Sequence, residues 1–170
     1  MKPSQNLYTE LLLRTLGKAA AADARQRSDR AGIEAVRAFL RRAGVDDGHL
    51  RMQDGSGLSR DNLVTAEATT RLLVYMNRHP HGSVFRASLP VAGVDGTLRN
   101  RMRGTAAMSN ARAKTGTLSS STTLSGYIFT AAGERLVFSL MINNPPRDTD
   151  PRANFTDAIT VLLASFAGRS

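Results

Sequence analysis

The chain contains no cysteine and no tryptophan, and aromatic side chains make up only 5% of its 170 residues. Without cysteine, the protein cannot use a thiolate nucleophile, a disulfide or a cysteine-based zinc site. Its three histidines, His49, His79 and His81, form no H-E-x-x-H arrangement. We therefore expect neither a metal site nor another cofactor.

Long apolar runs are missing as well. No segment approaches the roughly 18–20 apolar residues that cross a bilayer, so we expect no transmembrane segment. The first residues, MKPSQNLYTELLL, place polar side chains and Glu10 where a signal peptide needs an unbroken apolar stretch, and no signal peptide is expected in this chain. With 41% hydrophobic and 22% charged residues, the composition is typical of a globular protein with one core.

Negative charge is scarce, because 23 basic residues stand against 14 acidic ones and leave a net charge of +9. Such a surplus can attract nucleic acid, anionic lipid or an acidic polymer. The arginines are scattered, however, and the densest group, Arg99, Arg101 and Arg103, comes without a nucleic-acid-binding motif. We expect no nucleic-acid partner, and a basic nucleic-acid-binding domain is kept as an alternative.

Apolar spacing predicts helices in the first half of the chain and strands in the second. The predicted helices are residues 5–16, residues 28–44 and residues 65–78, with a closing helix at 153–167. Gly17 and Gly44 are expected to end the first two. The predicted strands are residues 111–118, 122–130 and 135–142. No repeat or linker interrupts this order, which predicts an α/β unit with helices packed on an antiparallel sheet.

Two short motifs carry polar groups suited to chemistry. Ser4-Gln5-Asn6 stands at the entrance to the first predicted helix, and Lys114-Thr115-Gly116-Thr117 lies on the first predicted strand. Each is weak alone, because S-x-N before a helix is usually a cap and K-T-G often arises by chance. Together, in this order, they match the last two of the three motifs S-x-x-K, S-x-N and K-T-G that penicillin-binding proteins and related β-lactamases share.

The surrounding sequence resembles one branch of that superfamily, the low-molecular-mass, class C type penicillin-binding D-alanyl-D-alanine carboxypeptidases and endopeptidases. The resembling stretches are residues 2–17, 53–65, 89–102, 111–128 and 135–144. The resemblance implies that residues 1–170 are the C-terminal portion of a serine β-lactamase/transpeptidase-like domain and include its last three sheet strands. It also implies hydrolysis of peptidoglycan stem peptides through an acyl-enzyme, binding of β-lactams, and a periplasmic or cell-envelope location.

Catalytic roles follow from the same resemblance. Ser4 would relay a proton to the leaving amine, and the Asn6 amide would orient the substrate and the catalytic lysine. Lys114 would supply the positive charge that holds the terminal carboxylate of the peptide or of a penicillin. Thr115 would add a hydroxyl contact to that carboxylate.

The resemblance also gives the strand a role in substrate binding. The backbone from Lys114 to Thr117 would hold the extended peptide as an added strand. Gly116 would leave room for that approach, and the N–H of Thr117 would form half of the oxyanion hole. Aspartates that stand beside Gly or Asn are interpreted as turn formers, and the DGSG segment at 54–57 receives no chemical step. These aspartates are Asp54, Asp61 and Asp95.

The family's nucleophile motif is missing from this sequence. No serine has a lysine three positions on, and Ser109-Asn110-Ala111-Arg112 has a permanently charged arginine there, which cannot serve as the base. We therefore expect that this chain alone is inactive, although its family is serine-type. The alternative is a non-catalytic module that binds peptidoglycan peptides.

The last predicted strand, residues 135–142, is apolar on both faces and carries Arg135 as its one charge. In the family that the chain resembles, strands from the N-terminal part complete the sheet beside it. Unpaired strand edges are templates for pairing with another chain. We therefore expect either a missing N-terminal portion at this edge or a homo-oligomer formed through it.

Overall fold

The computed structural model describes residues 1–21, 23 and 25–168, apart from the side chain of Asp47. It divides into two compact units. Met1–Ser4 and Met76–Ser170 form what we call the sheet unit, and Gln5–Tyr75 form the helical unit. The boundary lies inside a helix, α3 (Ala66–Arg78), which explains why no change of composition marks it.

Helices α1 (Asn6–Ala20) and α2 (Ser28–Arg42) pack against each other in the helical unit. At their close approach, a Cβ added to Gly17 would lie 1.7 Å from the carbonyl oxygen of Ser28. The prediction that Gly17 ends the first helix is therefore wrong, because this glycine serves the contact between two backbones and α1 continues past it. Gly44 does follow the end of α2, with a φ of +79° that glycine adopts readily.

A small hairpin, which the sequence analysis did not predict, precedes the third helix. Strands β1 (Leu50–Arg51) and β2 (Leu63–Val64) pair antiparallel and enclose the intervening loop. Two-residue strands are too short to show an alternating pattern. Thr65 then caps α3 by accepting the N–H of Ala68 at 3.0 Å, which confirms the predicted start of that helix.

The sheet unit contains a three-stranded antiparallel sheet in the order β3-β4-β5. Its elements are α4 (Gly82–Ser88), β3 (Arg112–Leu118), β4 (Ser121–Phe129), β5 (Arg135–Asn143), a π-helical segment (Arg152–Asp157) and α5 (Ala158–Ser165). The predicted meander and closing helix are confirmed, with ends shifted by a few residues. None of the helices described is both long and apolar enough to cross a membrane.

One face of this sheet carries the core of the sheet unit. Leu124 and Ile128 of β4 and Phe138 of β5 pack with Ala164 of α5, and the first two are almost completely inaccessible to solvent. Burying a side chain of this size contributes about 1.5–3 kcal/mol. The core therefore fixes the sheet whose first strand carries the K-T-G motif.

Candidate active site

Strand β3 holds the K-T-G motif in a regular register against β4. Lys114 lies opposite Ser125, and Gly116 lies opposite Thr123. On the other side of β3, the described residues form one isolated antiparallel bridge, between Val91 and Arg112. From Lys114 onward, the described residues form no further strand pair with that edge, which can therefore pair with an extended ligand.

Lys114 connects the two motifs found in the sequence. Its Nζ donates to Ser4 Oγ at 2.8 Å, across 110 residues of chain, and to the carbonyl oxygen of Thr115 at 2.7 Å. Within the described part of the chain, no carboxylate pairs with this ammonium group. A lysine has three N–H donors, so one remains for a further acceptor.

The surroundings of Lys114 make its charge costly. Burial lowers the pKa of Lys114 below its ordinary value of 10.5, because the half-buried side chain is partly removed from water. Its two hydrogen-bond partners are neutral oxygens. An anionic ligand at this position would stabilise the charged form, and a carboxylate suits it well.

Ser4 has an unusual backbone that directs its side chain toward Lys114. Its φ is +53°, in the left-handed region that serine rarely adopts, and its N–H donates to the carbonyl of Met1 at 3.2 Å. The N-cap of α1 is Gln5, without a side-chain capping bond. The interpretation of S-x-N as a helix cap is therefore wrong for Ser4, whose hydroxyl contacts the K-T-G lysine instead.

Asn6, the third residue of S-x-N, is the first residue of α1 and belongs to the helical unit. Asn6 is exposed, and its backbone carbonyl oxygen accepts a hydrogen bond from the Thr9 hydroxyl at 2.9 Å. Ser4 belongs to the sheet unit, so the division between the units falls within the motif. The role of Asn6 in orienting the substrate stays a prediction.

The remaining K-T-G residues have partners of their own. The Thr115 hydroxyl donates to Thr97 Oγ1 at 2.8 Å. A Cβ added to Gly116 would lie 2.5 Å from Thr123 Oγ1, so a side chain here would displace the Thr123 hydroxyl on β4. Thr117 lies exposed toward the end of β3.

Sequence reasoning missed a second connection between distant parts of the site. The Lys2 ammonium forms an ion pair with the Asp95 carboxylate, and the Lys2 carbonyl accepts the N–H of Thr97 at 3.2 Å. Asp95 is also the turn former that the sequence indicated, since it accepts the N–H of Val91 at 2.9 Å. Opposite charges that lie 93 residues apart show no pattern before the fold is known.

The DGSG segment at 54–57 is held by internal hydrogen bonds in the helical unit. The Asp54 carboxylate accepts the N–H groups of Gly57 at 2.6 Å and Ser59 at 2.9 Å, as well as the Asn62 amide at 3.1 Å. Glu10 of α1 accepts the N–H of Gly55 at 2.8 Å. These bonds fix the shape of the loop, which explains the Asp and Gly residues of the segment without a chemical step.

The densest arginine group is largely engaged by the protein itself. Arg101 donates to Thr156 Oγ1 at 2.9 Å and pairs with Asp157 at the start of the closing helix. Arg103 Nε donates to the carbonyl oxygen of Arg99 at 3.0 Å. Two of these three side chains therefore stabilise the fold, which weakens the nucleic-acid-binding alternative.

Known proteins match this chain along almost its whole length. The model of the D-Ala-D-Ala carboxypeptidase 3 (S13) family matches residues 1–166. The D-alanyl-D-alanine carboxypeptidase of Actinomadura sp. (strain R39) is 44% identical over 173 residues, which cover 99% of this chain and 31% of that protein.

Solved structures give the same result. The crystal structure of penicillin binding protein 4 (dacB) from Haemophilus influenzae superposes with a TM-score of 0.83 at 28% identity, covering 98% of this chain and 38% of that one. The structure of the same Haemophilus protein complexed with a novel β-lactam gives a TM-score of 0.78 at 31% identity, covering 96% and 38%.

The helices and the antiparallel sheet thus have the fold of a penicillin-binding protein, as the order of the motifs indicated. This finding confirms the α/β class and the transpeptidase-like architecture. The chain belongs to the D-Ala-D-Ala carboxypeptidase 3 (S13) family, which confirms the resemblance found in the sequence. It spans about a third of the length of the relatives that it matches.

Proposed function

We propose that this chain provides the carboxylate-binding half of a serine-type D-alanyl-D-alanine carboxypeptidase site and is the C-terminal portion of the corresponding domain. Its substrate is a peptidoglycan stem peptide, and its place of action is the cell envelope. The observation that carries the proposal is the 2.8 Å contact between Lys114 Nζ and Ser4 Oγ. A relative named D-alanyl-D-alanine carboxypeptidase and a structural neighbour complexed with a β-lactam support it.

Lys114 binds the terminal carboxylate of the peptide. Its third N–H is directed to a ligand oxygen, while Ser4 and the Thr115 carbonyl hold the other two. The Thr115 hydroxyl, which donates to Thr97 without ligand, rotates to the same carboxylate. Because the ammonium group is half-buried, the interaction is stronger than it would be in water.

The free edge of β3 aligns the peptide backbone. An extended acyl-D-Ala-D-Ala segment pairs with the strand from Lys114 to Thr117 as an additional antiparallel or parallel neighbour. The N–H of Thr117, a residue exposed near the end of β3, then lies at the carbonyl that is attacked and forms one half of the oxyanion hole.

Ser4 transfers the proton in the acylation step. Its oxygen accepts a hydrogen bond from Lys114, so its own hydrogen is available to the amine of the departing D-alanine. The nucleophilic serine gives its proton to the lysine of S-x-x-K, and its oxygen bonds to the carbonyl carbon. As the C–N bond breaks, Ser4 passes its proton to the departing amine and is reprotonated from that lysine. Water later hydrolyses the ester and restores the serine hydroxyl. Asn6 orients the substrate. The nucleophile belongs to an S-x-x-K segment, which residues 1–170 do not contain.

Peptide binding tests the carboxylate site directly. We expect N-acetyl-D-Ala-D-Ala to bind this chain about tenfold more tightly than its C-terminal carboxamide, measured by NMR titration. Lys114→Met should abolish that preference, whereas Lys18→Met, at an exposed lysine of α1, should leave it intact. Equal affinity for the acid and the amide would contradict the proposal, as would an equal loss in both variants.

Penicillin labelling tests the division of the site. We expect residues 1–170 alone to form no covalent adduct with a fluorescent penicillin, because they lack the nucleophile and its lysine. A longer protein in which an N-terminal segment supplies S-x-x-K should label, and Lys114→Ala should sharply reduce that labelling. A stable acyl-protein band from the 170-residue chain would show that the assignment of the nucleophile is wrong.

A non-catalytic module for peptidoglycan peptides is the second candidate. It is supported by the contacts of Lys114 with Ser4 and of Thr115 with Thr97, which form a carboxylate site without a nucleophile. Both candidates predict peptide binding by this chain. They differ in the longer protein, since a module would bind the peptide there and still fail to become acylated.

A further inference from the structure

The first residues of the chain form a short segment that we call the N-terminal strap (Met1–Ser4). The strap contacts the loop at 95–97 twice through Lys2, by the ion pair with Asp95 and by the backbone bond to Thr97. At the other end of the strap, Ser4 meets Lys114. The strap is therefore anchored at Lys2, and Ser4 is the residue that takes part in catalysis under the proposed function.

Asp95 uses its two carboxylate oxygens differently. Oδ1 accepts the N–H of Val91 and closes the 91–95 turn, while Oδ2 pairs with Lys2. The hydrogen bond from Lys2 lowers the pKa of Asp95 below its usual range, although burial acts in the opposite direction. A turn needs the first contact alone, so the second requires its own explanation.

The neighbouring residues bring both motifs to the same loop. A Cβ added to Gly96 would lie 2.7 Å from the Lys2 carbonyl oxygen, and the φ of Gly96 is +56°, so glycine permits the close approach of the strap. Thr97 accepts the hydroxyl of Thr115. The triplet at 95–97 thus contacts the strap that carries Ser4 and the strand that carries Thr115.

We propose that Lys2 and Asp95 are positioning residues: they hold the strap so that Ser4 Oγ keeps its hydrogen bond with Lys114 Nζ. The left-handed backbone of Ser4, with a φ of +53°, is a conformation that serine rarely adopts, so the position of its hydroxyl depends on what holds the neighbouring residues. The ion pair is about one-third exposed and weak by itself. It acts together with the Thr97 bond and the packing at Gly96. Its importance for catalysis rests on the proposed function, but its geometric effect does not.

Lysine-selective NMR tests the effect at Lys114 itself. The chain has three lysines, Lys2, Lys18 and Lys114, so each ¹³Cε resonance can be assigned by substitution. In Lys2→Met, we expect the Lys114 resonance to move toward that of free lysine while the Lys18 resonance stays in place. The Thr97 amide should exchange about threefold to fivefold faster, as loss of a partly exposed ion pair predicts. Lys18→Met is the matched control and should change neither signal.

Two further variants make the result specific. Asp95→Asn keeps an oxygen for Val91 and should reproduce the effects of Lys2→Met. In a Ser4→Ala background, Lys2→Met should cause no further shift of Lys114, because the contact that the strap maintains is already gone. A purely structural role for Lys2 would shift Lys114 equally with or without the Ser4 hydroxyl.

The outcomes separate this proposal from the function. Unchanged Lys114 and Thr97 signals in both Lys2→Met and Asp95→Asn overturn the positioning role, even if the wild-type chain binds N-acetyl-D-Ala-D-Ala. A general shift that includes Lys18 also overturns it, since the variant would then act by loosening the whole fold. If the wild-type chain does not bind the peptide but Lys2→Met shifts the Lys114 resonance toward that of free lysine, the proposed function fails and the positioning role stands.

Discussion

The two units of this chain bury their apolar residues to different extents. In the sheet unit, Leu98, Leu124 and Ile128 are almost wholly inaccessible. In the helical unit, α1 buries Leu13 and Gly17, while five of its large apolar side chains stay exposed. These are Leu7, Tyr8, Leu11, Leu12 and Leu16.

This difference bears on how the candidate site is supported. The K-T-G strand and Ser4 belong to the sheet unit, whose core lies within the described residues, so their geometry rests on well-packed neighbours. Asn6 lies on α1, whose outer apolar face has the character of an interaction surface. The carboxylate half of the site is therefore expected to be more rigid than the helix that carries Asn6.

The largest expected effect is on stability. Leu124→Ala should lower the free energy of unfolding by about 2–5 kcal/mol, because it leaves a cavity in the sheet core. Leu12→Ala, at a position 68% exposed in α1, should change it by less than about 0.5 kcal/mol. Denaturant unfolding of both variants checks this contrast. Similar losses from the two substitutions would show that the α1 face is covered in solution.

The second prediction concerns Lys114, which lies in the sheet unit. Burial lowers the pKa of Lys114 below 10.5, so its ammonium group is charged below that lowered pKa and neutral above it. The affinity for N-acetyl-D-Ala-D-Ala should therefore fall as the pH rises through the lowered pKa. Above it, the affinity should approach that of the carboxamide, a loss of about tenfold in all, since only the charged form favours the carboxylate. NMR titration between pH 7 and 11 measures this fall, and the carboxamide serves as the control. Constant affinity up to pH 10.5 would contradict the assignment.

The third and smallest effect concerns self-association. For residues 1–170 without an N-terminal portion, we propose a symmetric dimer through β5. Among the described residues, β4 is the strand partner of β5, and Arg135 is the one charge of β5. Met141→Lys should weaken the dimer about fivefold, and Leu12→Lys on α1 should leave it unchanged. Light scattering at micromolar concentration measures the change, and amide exchange at 135–143 identifies the edge. A monodisperse monomer, or a dimer that only the α1 variant disrupts, would exclude this arrangement.

Local patterns were sufficient to predict much of the fold. The β-rich runs of β3, β4 and β5 and the helical spacing of α3 were visible directly, because neighbouring residues determine them. The order of S-x-N and K-T-G then predicted that Ser4 and Lys114 belong to one site. The structure places their side chains in contact.

Features that depend on distant backbones could not be predicted in this way. Gly17 looks like a helix end in sequence, and its contact with Ser28 decides otherwise. Asp95 looks like a turn former, and its ion pair with Lys2 depends on where the chain returns. The division of S-x-N between two units is likewise a property of packing, since Ser4 and Asn6 are separated by one residue.

The central claim is that Lys114 holds the carboxylate of a D-Ala-D-Ala peptide, and intermolecular NOEs from the bound peptide test it most directly. We predict NOEs from the methyl group of the terminal D-alanine to the ε-protons of Lys114 and to the β-protons of Ser4. Lys114→Met should weaken the binding about tenfold, to the level of the carboxamide. A peptide that binds with NOEs to the arginine group at 99–103 and none to Lys114 would contradict the account.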